Sequence, residues 1–301
     1  MEFWILLSLA SSLLFAIVSV IDKYGVYDST NLSPKFLNMY VGYSNAIIGA
    51  TLLIIFGITD IFSYFTFLSL SVGMIQGLSL IILFWSLKNN DVTRVMPIWS
   101  AYPFWVLLMA ITLTSEVITT VNLISIFLLI SGSMIANVKL DKKNSIKFSV
   151  RSFIILIMGT FLFALSQIIN KEVVQNVPVI EAFGFRGIGV FLTLALPFSK
   201  RENLTFLIKY VFDWKKSKYI FTAETFLATF AYITILYSLI SGPVSLVAAI
   251  SGTRPVFIVA IYTILSLLKV NISESFSKRE VVVKLISAIF VSMGVFGIAV
   301  F

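Results

Sequence analysis

The chain contains neither cysteine nor histidine. Without thiols there is no disulfide framework and no sulfur-ligated metal. Without imidazole the commonest metal ligand and the easiest proton relay are gone. Charge is scarce too: Asp, Glu, Lys and Arg supply 12% of 301 residues, about half of what a soluble domain uses to cover its surface. No G-x-x-x-x-G-K-[ST] run occurs, which excludes ATP-driven transport by a phosphate loop within this chain. An enzyme working inside a membrane would need a nucleophile–base pair, a metal triad or several carboxylates around one cavity, and those supplies are nearly absent. Neither a cofactor nor a metal is expected, and no catalytic residue is assigned.

What is abundant is apolar length. Hydrophobic residues make up 59% of the chain and the mean hydropathy is +1.02. Lipid is the solvent in which such a composition exposes its surface without penalty. A helix needs about 20 apolar residues to cross the hydrocarbon, and ten stretches qualify: 3–22, 36–57, 66–87, 92–113, 118–138, 151–171, 180–198, 218–240, 244–267 and 281–301. Nothing alternates as a barrel strand does, so the expectation is an all-α membrane protein of ten transmembrane helices. The first run begins at Phe3 with no basic residue ahead of it and no small-x-small cleavage site, and so reads as a span rather than a signal peptide.

The basic residues set a topology. Of the 22 lysines and arginines, all but three lie in loops 1–2, 3–4, 5–6, 7–8 and 9–10 or at their flanks. Lys171 sits on the opposite side, and Arg186 and Arg254 fall inside spans. By the positive-inside rule those loops are cytoplasmic and both termini face out. The net charge of +8 therefore reads as orientation, and no nucleic-acid partner is expected. The two longer connections, 139–150 and 199–217, are lysine-rich, and Leu204 to Trp214 has the pattern of an amphipathic surface helix.

The fourth span, Val92 to Leu113, carries Pro97, Pro103, Trp99, Tyr102 and Trp105. Its pattern returns at Val244 to Leu265, with Val92 on Val244, Pro103 on Pro255 and Leu113 on Leu265. Residues 13–26 likewise match 161–174, and 121–132 match 283–294. The three blocks keep their order, which divides the chain into a five-helix unit at 1–138, a basic linker at 139–150 and a second five-helix unit at 151–301. An odd number of spans per unit inserts the second upside down. Inverted repeats of this kind belong to carriers that open a shared midplane site to one side and then the other.

The run FWSLKNNDVTRVMPIWSAYPFWVLL at 84–108, the VIDKYG ending of the first span at 20–25 and Glu116 in Thr114-Ser115-Glu116 resemble the EamA-type, ten-span members of the drug/metabolite transporter superfamily. Thr-Ser-Glu stands where that family favours Leu-Gly-Glu, and the second copy reads Leu267-Leu268-Lys269 instead. The resemblance covers essentially the whole chain and specifies architecture better than substrate. It implies spans 1, 3, 4, 6, 8 and 9 around a central cavity, with spans 5 and 10 peripheral. It implies secondary active or facilitated transport, by alternating access, of a small organic metabolite that is amino-acid-like, anionic or drug-like. Its partners would be that substrate and the lipid bilayer of the cell (plasma) membrane, with the chain a monomer or homodimer. The alternative is a non-transporting scaffold or a channel-like protein, although a pore would more naturally show rings of like residues.

Charge inside a bilayer is the best pointer to a site, because each such residue costs about 2.5–3.5 kcal/mol even on lenient insertion scales. Arg254, beside Pro255 in span 9, reads either as an anchor for an anionic substrate group or as a structural residue, paired with Glu224 or satisfied by backbone carbonyls. Its repeat mate is Tyr102. Glu224 is the one carboxylate clearly inside a span and the candidate for proton coupling, with an ion pair to Arg254 or a headgroup-level position as the alternatives. Trp99 and Tyr102, three apart, share a face and form a candidate pocket wall. Tyr232, Gln76 and Gln167 complete the candidate substrate-binding set, whereas Trp85 and Tyr237 at span ends read as interfacial anchors. Asn45 and Asn122 read as interhelical hydrogen-bonding groups. By the family resemblance Arg186 is structural. Pro97, Pro103 and Pro255 are expected to kink their spans. The pairs Gly73/Gly77, Gly184/Gly187 and Gly294/Gly297 are expected to bring helices close.

Overall fold

A backbone surrounded by lipid must satisfy its own hydrogen bonds within one segment, and the described elements of this chain are all helical. A computed structural model describes residues 2–22, 33–89, 92–114, 116–136, 150–268 and 278–300. The helices are α1 (Phe3–Ile21), α2 (Pro34–Phe56), α3 (Tyr64–Asn89), α4 (Val92–Trp99), α5 (Tyr102–Leu113), α6 (Thr120–Ala136), α7 (Val150–Asn176), α8 (Val179–Leu194), α9 (Arg201–Phe212), α10 (Trp214–Ile220), α11 (Ala228–Ser241), α12 (Val244–Ser251), α13 (Arg254–Leu267) and α14 (Lys278–Val300). Between α10 and α11 the chain continues as a π-helical segment, Phe221–Leu227, so that Trp214–Ser241 forms one long rod.

Eight helices among the described residues are long and apolar enough to cross a membrane, which makes this an all-helical, multi-pass membrane fold. Of the ten expected spans, the fifth is short and the fourth and ninth are each divided between two helices. At 1.5 Å per residue, the 12 residues of α5 reach about 18 Å and the 17 of α6 about 26 Å, against a hydrocarbon core of about 30 Å. The basic linker lies outside the described residues up to 149, as do Lys23, Ser115 and Lys269. The expected surface helix is present as α9. It buries Leu207 and Tyr210 against the end of α2 and turns Ile208 and Phe212 outward.

The proline-bearing stretches break outright, where a kink was expected. Val92–Leu113 is interrupted at Ser100-Ala101 and Val244–Leu267 at Gly252-Thr253, and Pro103 and Pro255 each sit in the first turn of the half-helix that follows. That is where proline's missing N–H costs a helix nothing. The bonds that close the first break are Ser100 N–H to Met96 O (2.9 Å), Ala101 N–H to Ile98 O (3.1 Å) and Phe104 N–H to Ala101 O (3.0 Å). At the second they are Gly252 N–H to Ala248 O (2.9 Å), Thr253 N–H to Ile250 O (3.0 Å) and Val256 N–H to Thr253 O (2.9 Å). Each bond has its counterpart at the spacing that separates Val92 from Val244.

Helix α8 lies against both α2 and α3, and α6 packs along α14. Glycine allows the approach. A β-carbon on Gly187 would stand 2.5 Å from the Asn45 carbonyl oxygen of α2, and one on Gly73 would strike the Arg186 carbonyl oxygen of α8. Of the glycine pairs named from sequence, Gly73, Gly187 and Gly294 stand against the backbone of a neighbouring helix, whereas Gly77, Gly184 and Gly297 meet the side chains of Thr193, Leu53 and Ser125. Helix α1 packs on α11, α12 and α13, while α7 packs on α3, α4 and α5.

Candidate functional site

The second broken span is completed by serines of α1. The Ser12 hydroxyl donates to the Ser251 carbonyl (3.3 Å), one of the acceptors freed at the break, and pairs with the Thr253 hydroxyl at 3.0 Å. Ser11 donates to the Ala231 carbonyl of α11 at 2.8 Å. Ser8, Ser11 and Ser12 are all buried. In an apolar helix this row is easily read as small-residue packing, yet Ser11 and Ser12 donate to neighbouring backbone, while Ser8 donates to the Trp4 carbonyl of its own helix at 2.8 Å.

About two turns further along α1, Ser19 accepts from Arg254, with Nε at 2.8 Å and Nη2 also in contact. The guanidinium lies 5.4 Å from the centre of the Phe15 ring. Asp22 follows at the end of α1, three residues on from Ser19. Its carboxyl meets that of Glu224, and both act electrostatically on Arg254. Glu224 is carried by the π-helical segment, whose next residue, Thr225, bonds Tyr40 (2.7 Å) and Ser44 (3.1 Å) of α2. Arg254, Glu224 and Asp22 therefore form one cluster between α1, α2, α11 and α13, and all three are only partly shielded. Sequence reasoning named two of them. Asp22 was passed over because it stands at the edge of its span, where an acid ordinarily signals the end of the hydrocarbon.

The other candidates gather in two places. Trp99 and Tyr102 lie on either side of the first break and both meet Phe163 of α7, with ring centres 5.5 and 4.9 Å away, the second pair edge to face. Their wall is closed against its opposite number. The Tyr102 hydroxyl donates to the Ala248 carbonyl of α12 at 3.1 Å, and Pro103 abuts Gly252. The expected chamber between the two broken spans is thus shut at this level. Of the cavities described, one of about 380 Å³ reaches Thr253 of the second break and opens outward between α1, α13 and α14, and a smaller one of about 180 Å³ lies beside Glu181 and Thr59.

Gln76 and Tyr232 come together around Arg186 instead. Arg186 Nε donates to Gln76 Oε1 (2.7 Å) and Nη1 to Asn45 Oδ1 (3.1 Å), while the guanidinium stacks 3.4 Å from the centre of the Tyr232 ring. Asn170 of α7 donates to the Tyr232 hydroxyl at 2.8 Å. Gln167, one turn before Asn170, is buried. Trp85 and Tyr237 are about two-fifths exposed, as interfacial anchors would be.

The turn joining α11 to α12 is held from both sides. Lys171 donates to the Leu239 (2.7 Å), Ile240 (3.3 Å) and Gly242 (3.0 Å) carbonyls at the end of α11, where the helix dipole favours a cation. Glu116 accepts from the Val244 N–H (2.5 Å) and the Ser245 hydroxyl (2.7 Å) at the start of α12. Glu116→Ala is expected to destabilise the protein by about 1–2 kcal/mol, the range for a lost charged cap. A thermal melt of the purified variant measures it, and an unchanged Tm means the cap contributes nothing.

No known family and no curated protein matches the sequence. The fold is nevertheless shared. A solved structure described only as "Crystal structure of protein" superposes on 98% of this chain and 96% of its own, with a TM-score of 0.70 at 11% sequence identity.

Proposed function

We propose that the protein is a ten-span, alternating-access carrier for a small organic metabolite, built from two inverted five-helix units. The observation that carries this reading is the pair of matched breaks at Ser100-Ala101 and Gly252-Thr253, with the same three backbone bonds around each. Chance resemblance between apolar sequences does not account for an identical interruption at the same spacing. The packing supports it. Under the repeat α1 corresponds to α7, α3 to α11 and α5 to α13, and α11 and α13 lie on α1 as α3 and α5 lie on α7. Of the strongest remaining associations, α2 with α8 and α6 with α14 are each between a helix and its own mate, whereas α3 with α8 has only a weaker counterpart, between α2 and the π-helical segment. In this count α4 and α5 together make the fourth span and α6 the fifth.

The broken spans meet at the centre and supply the moving parts. Trp99, Tyr102, Gln76, Gln167 and Tyr232 contact the substrate when the halves part, and Arg254 takes part in coupling. With Asp22 and Glu224 both ionised, the three-residue cluster carries one net negative charge and Arg254 is fully engaged. A proton on the acids frees Arg254 for an anionic group on the substrate, so Glu224 couples through its partner Asp22. The clamp of Lys171 and Glu116 on the α11–α12 turn closes the end of the bundle beside Trp4.

Two experiments test this. The chain has no cysteine, so single cysteines at Glu2 and Val300 can be labelled with an impermeant maleimide without removing native thiols. Both are expected to react from outside intact cells, and labelling from opposite faces ends the inverted-repeat reading. For transport, a thermal-shift screen of metabolites supplies ligands by their preference for the native state, and the hits are assayed for uptake into proteoliposomes. Arg254→Ala is expected to reduce that uptake at least about tenfold, the effect of losing one charged hydrogen bond. Undiminished uptake removes Arg254 from the mechanism.

A further inference from the structure

Arg186 is a buried cation for which the described residues supply no counter-charge. It is 5% exposed, lies near the middle of α8 and touches no carboxylate among the described residues. The acid nearest to it along α8, Glu181, points elsewhere, its Oε2 accepting from the Thr59 N–H and hydroxyl at 3.2 and 2.7 Å. Its neighbours from the packed helices are neutral: Asn45 of α2, Gln76 of α3 and Tyr232 of α11, with Asn170 of α7 behind the tyrosine. A guanidinium has five N–H donors. Gln76 and Asn45 take two, and the Tyr232 oxygen takes one more at most. Two remain. The Tyr232 hydroxyl, already accepting from Asn170, keeps its own hydrogen for a further acceptor.

A buried polar group left in this state is rare, and a buried charge without a counter-charge is costly. Arg254 offers the contrast, since Asp22 and Glu224 both answer its charge. We infer that Arg186, with the Tyr232 hydroxyl, is a binding site for a carboxylate. The planar guanidinium fork matches a carboxylate's two oxygens, and the stacked Tyr232 ring and Gln76 hold the fork in place. As a statement about the substrate, that it carries a carboxylate, this rests on the carrier reading. As a binding site it stands without transport.

The test therefore reads binding alone. Purified protein in N-methylglucamine–HEPES buffer, where the buffer anion is too large for the site, is titrated with formate, acetate, chloride and the neutral isosteres formamide and acetamide. Formate and acetate are expected to raise Tm saturably, and the amides are not. Arg186→Gln is expected to lose the rise, and Tyr232→Phe to weaken the apparent affinity about tenfold. Absence of a saturable rise overturns the inference, as does a rise that survives in Arg186→Gln. A rise lost in Arg254→Gln but kept in Arg186→Gln places the anion at Arg254, and a rise with chloride alone overturns the carboxylate assignment. Should Arg186→Gln fail to fold, Tyr232→Phe decides, an unchanged affinity counting against the site. A protein that binds formate yet moves no substrate separates failure of the carrier reading from failure of this one.

Discussion

Substitution of Glu224 by Gln is expected to abolish the response of transport to a pH gradient while leaving the protein folded. The physical reason lies in the pair. Two carboxyl groups in contact form a hydrogen bond only when one of them carries a proton, and here the contact is made between α1 and the π-helical segment that leads into α11. In the proposed carrier, opening one end of the bundle and closing the other would move these elements past each other, and the proton's site would be made and broken within the cycle. With the membrane potential clamped at zero and one proton carried along with each substrate, each unit of pH difference is worth about 1.4 kcal/mol, or about tenfold in accumulation. The wild-type protein in proteoliposomes is expected to approach that ratio, and Glu224→Gln to fall to equilibration. Asp22→Asn is expected to do the same, because either residue alone leaves no pair. An accumulation ratio that follows the pH gradient undiminished in Glu224→Gln excludes coupling through this cluster. Loss in Glu224→Gln but not in Asp22→Asn assigns the proton to Glu224 alone. The π-helical geometry bears on this as well, since an extra residue per turn turns Glu224 out of the apolar register of its span, and such bulges recur at functional positions.

Much of this was legible in the sequence, for reasons that can be named. The helices were visible because lipid demands unbroken apolar length, and the expected spans fall close to the helices. The position of the interruptions was half visible. Pro103 and Pro255 announce trouble for a helix, but whether the chain kinks or stops depends on what covers the freed carbonyls. At the second break that cover is Ser12, some 240 positions away in sequence. Glu224 and Arg254 were recognisable as expensive residues in an apolar run. Their third member, Asp22, was not, because its position becomes interior only when the π-helical segment stands beside the end of α1. The division of roles between the two arginines was the least legible. Sequence alone gives both the same cost, and only the neighbours distinguish them: acids around Arg254, amides and a phenol around Arg186. Gln76 and Tyr232 were chosen as polar groups on the right helices, and the structure gathers them at the arginine that the resemblance set aside as structural.

The packing that brings those groups together carries the last prediction. Gly73 of α3 lies against the backbone of α8 so closely that a β-carbon would strike the Arg186 carbonyl oxygen and stand 2.8 Å from the Val190 nitrogen. Neither obstacle is the end of a flexible side chain, so room can be made only by moving a whole helix. Insertion into a well-packed interior costs about 1–3 kcal/mol and occasionally more. Here Gly73→Ala is expected at the top of that range and Gly73→Leu beyond it, yielding no monodisperse protein. Gly57 is the control. It ends α2 at φ +83°, and a β-carbon there meets nothing within 4 Å. Gly57→Ala therefore pays only for an extended, positive-φ backbone (ψ 174°) that glycine alone takes freely, about 1–3 kcal/mol. Melting curves in detergent measure both, and a wild-type Tm for Gly73→Ala shows that α3 and α8 are not in backbone contact. Moving α3 away from α8 also pulls Gln76 off Arg186. Whatever Gly73→Ala protein folds is thus expected to show a weakened stabilisation by formate, a consequence that cavity and strain at Gly57 do not share.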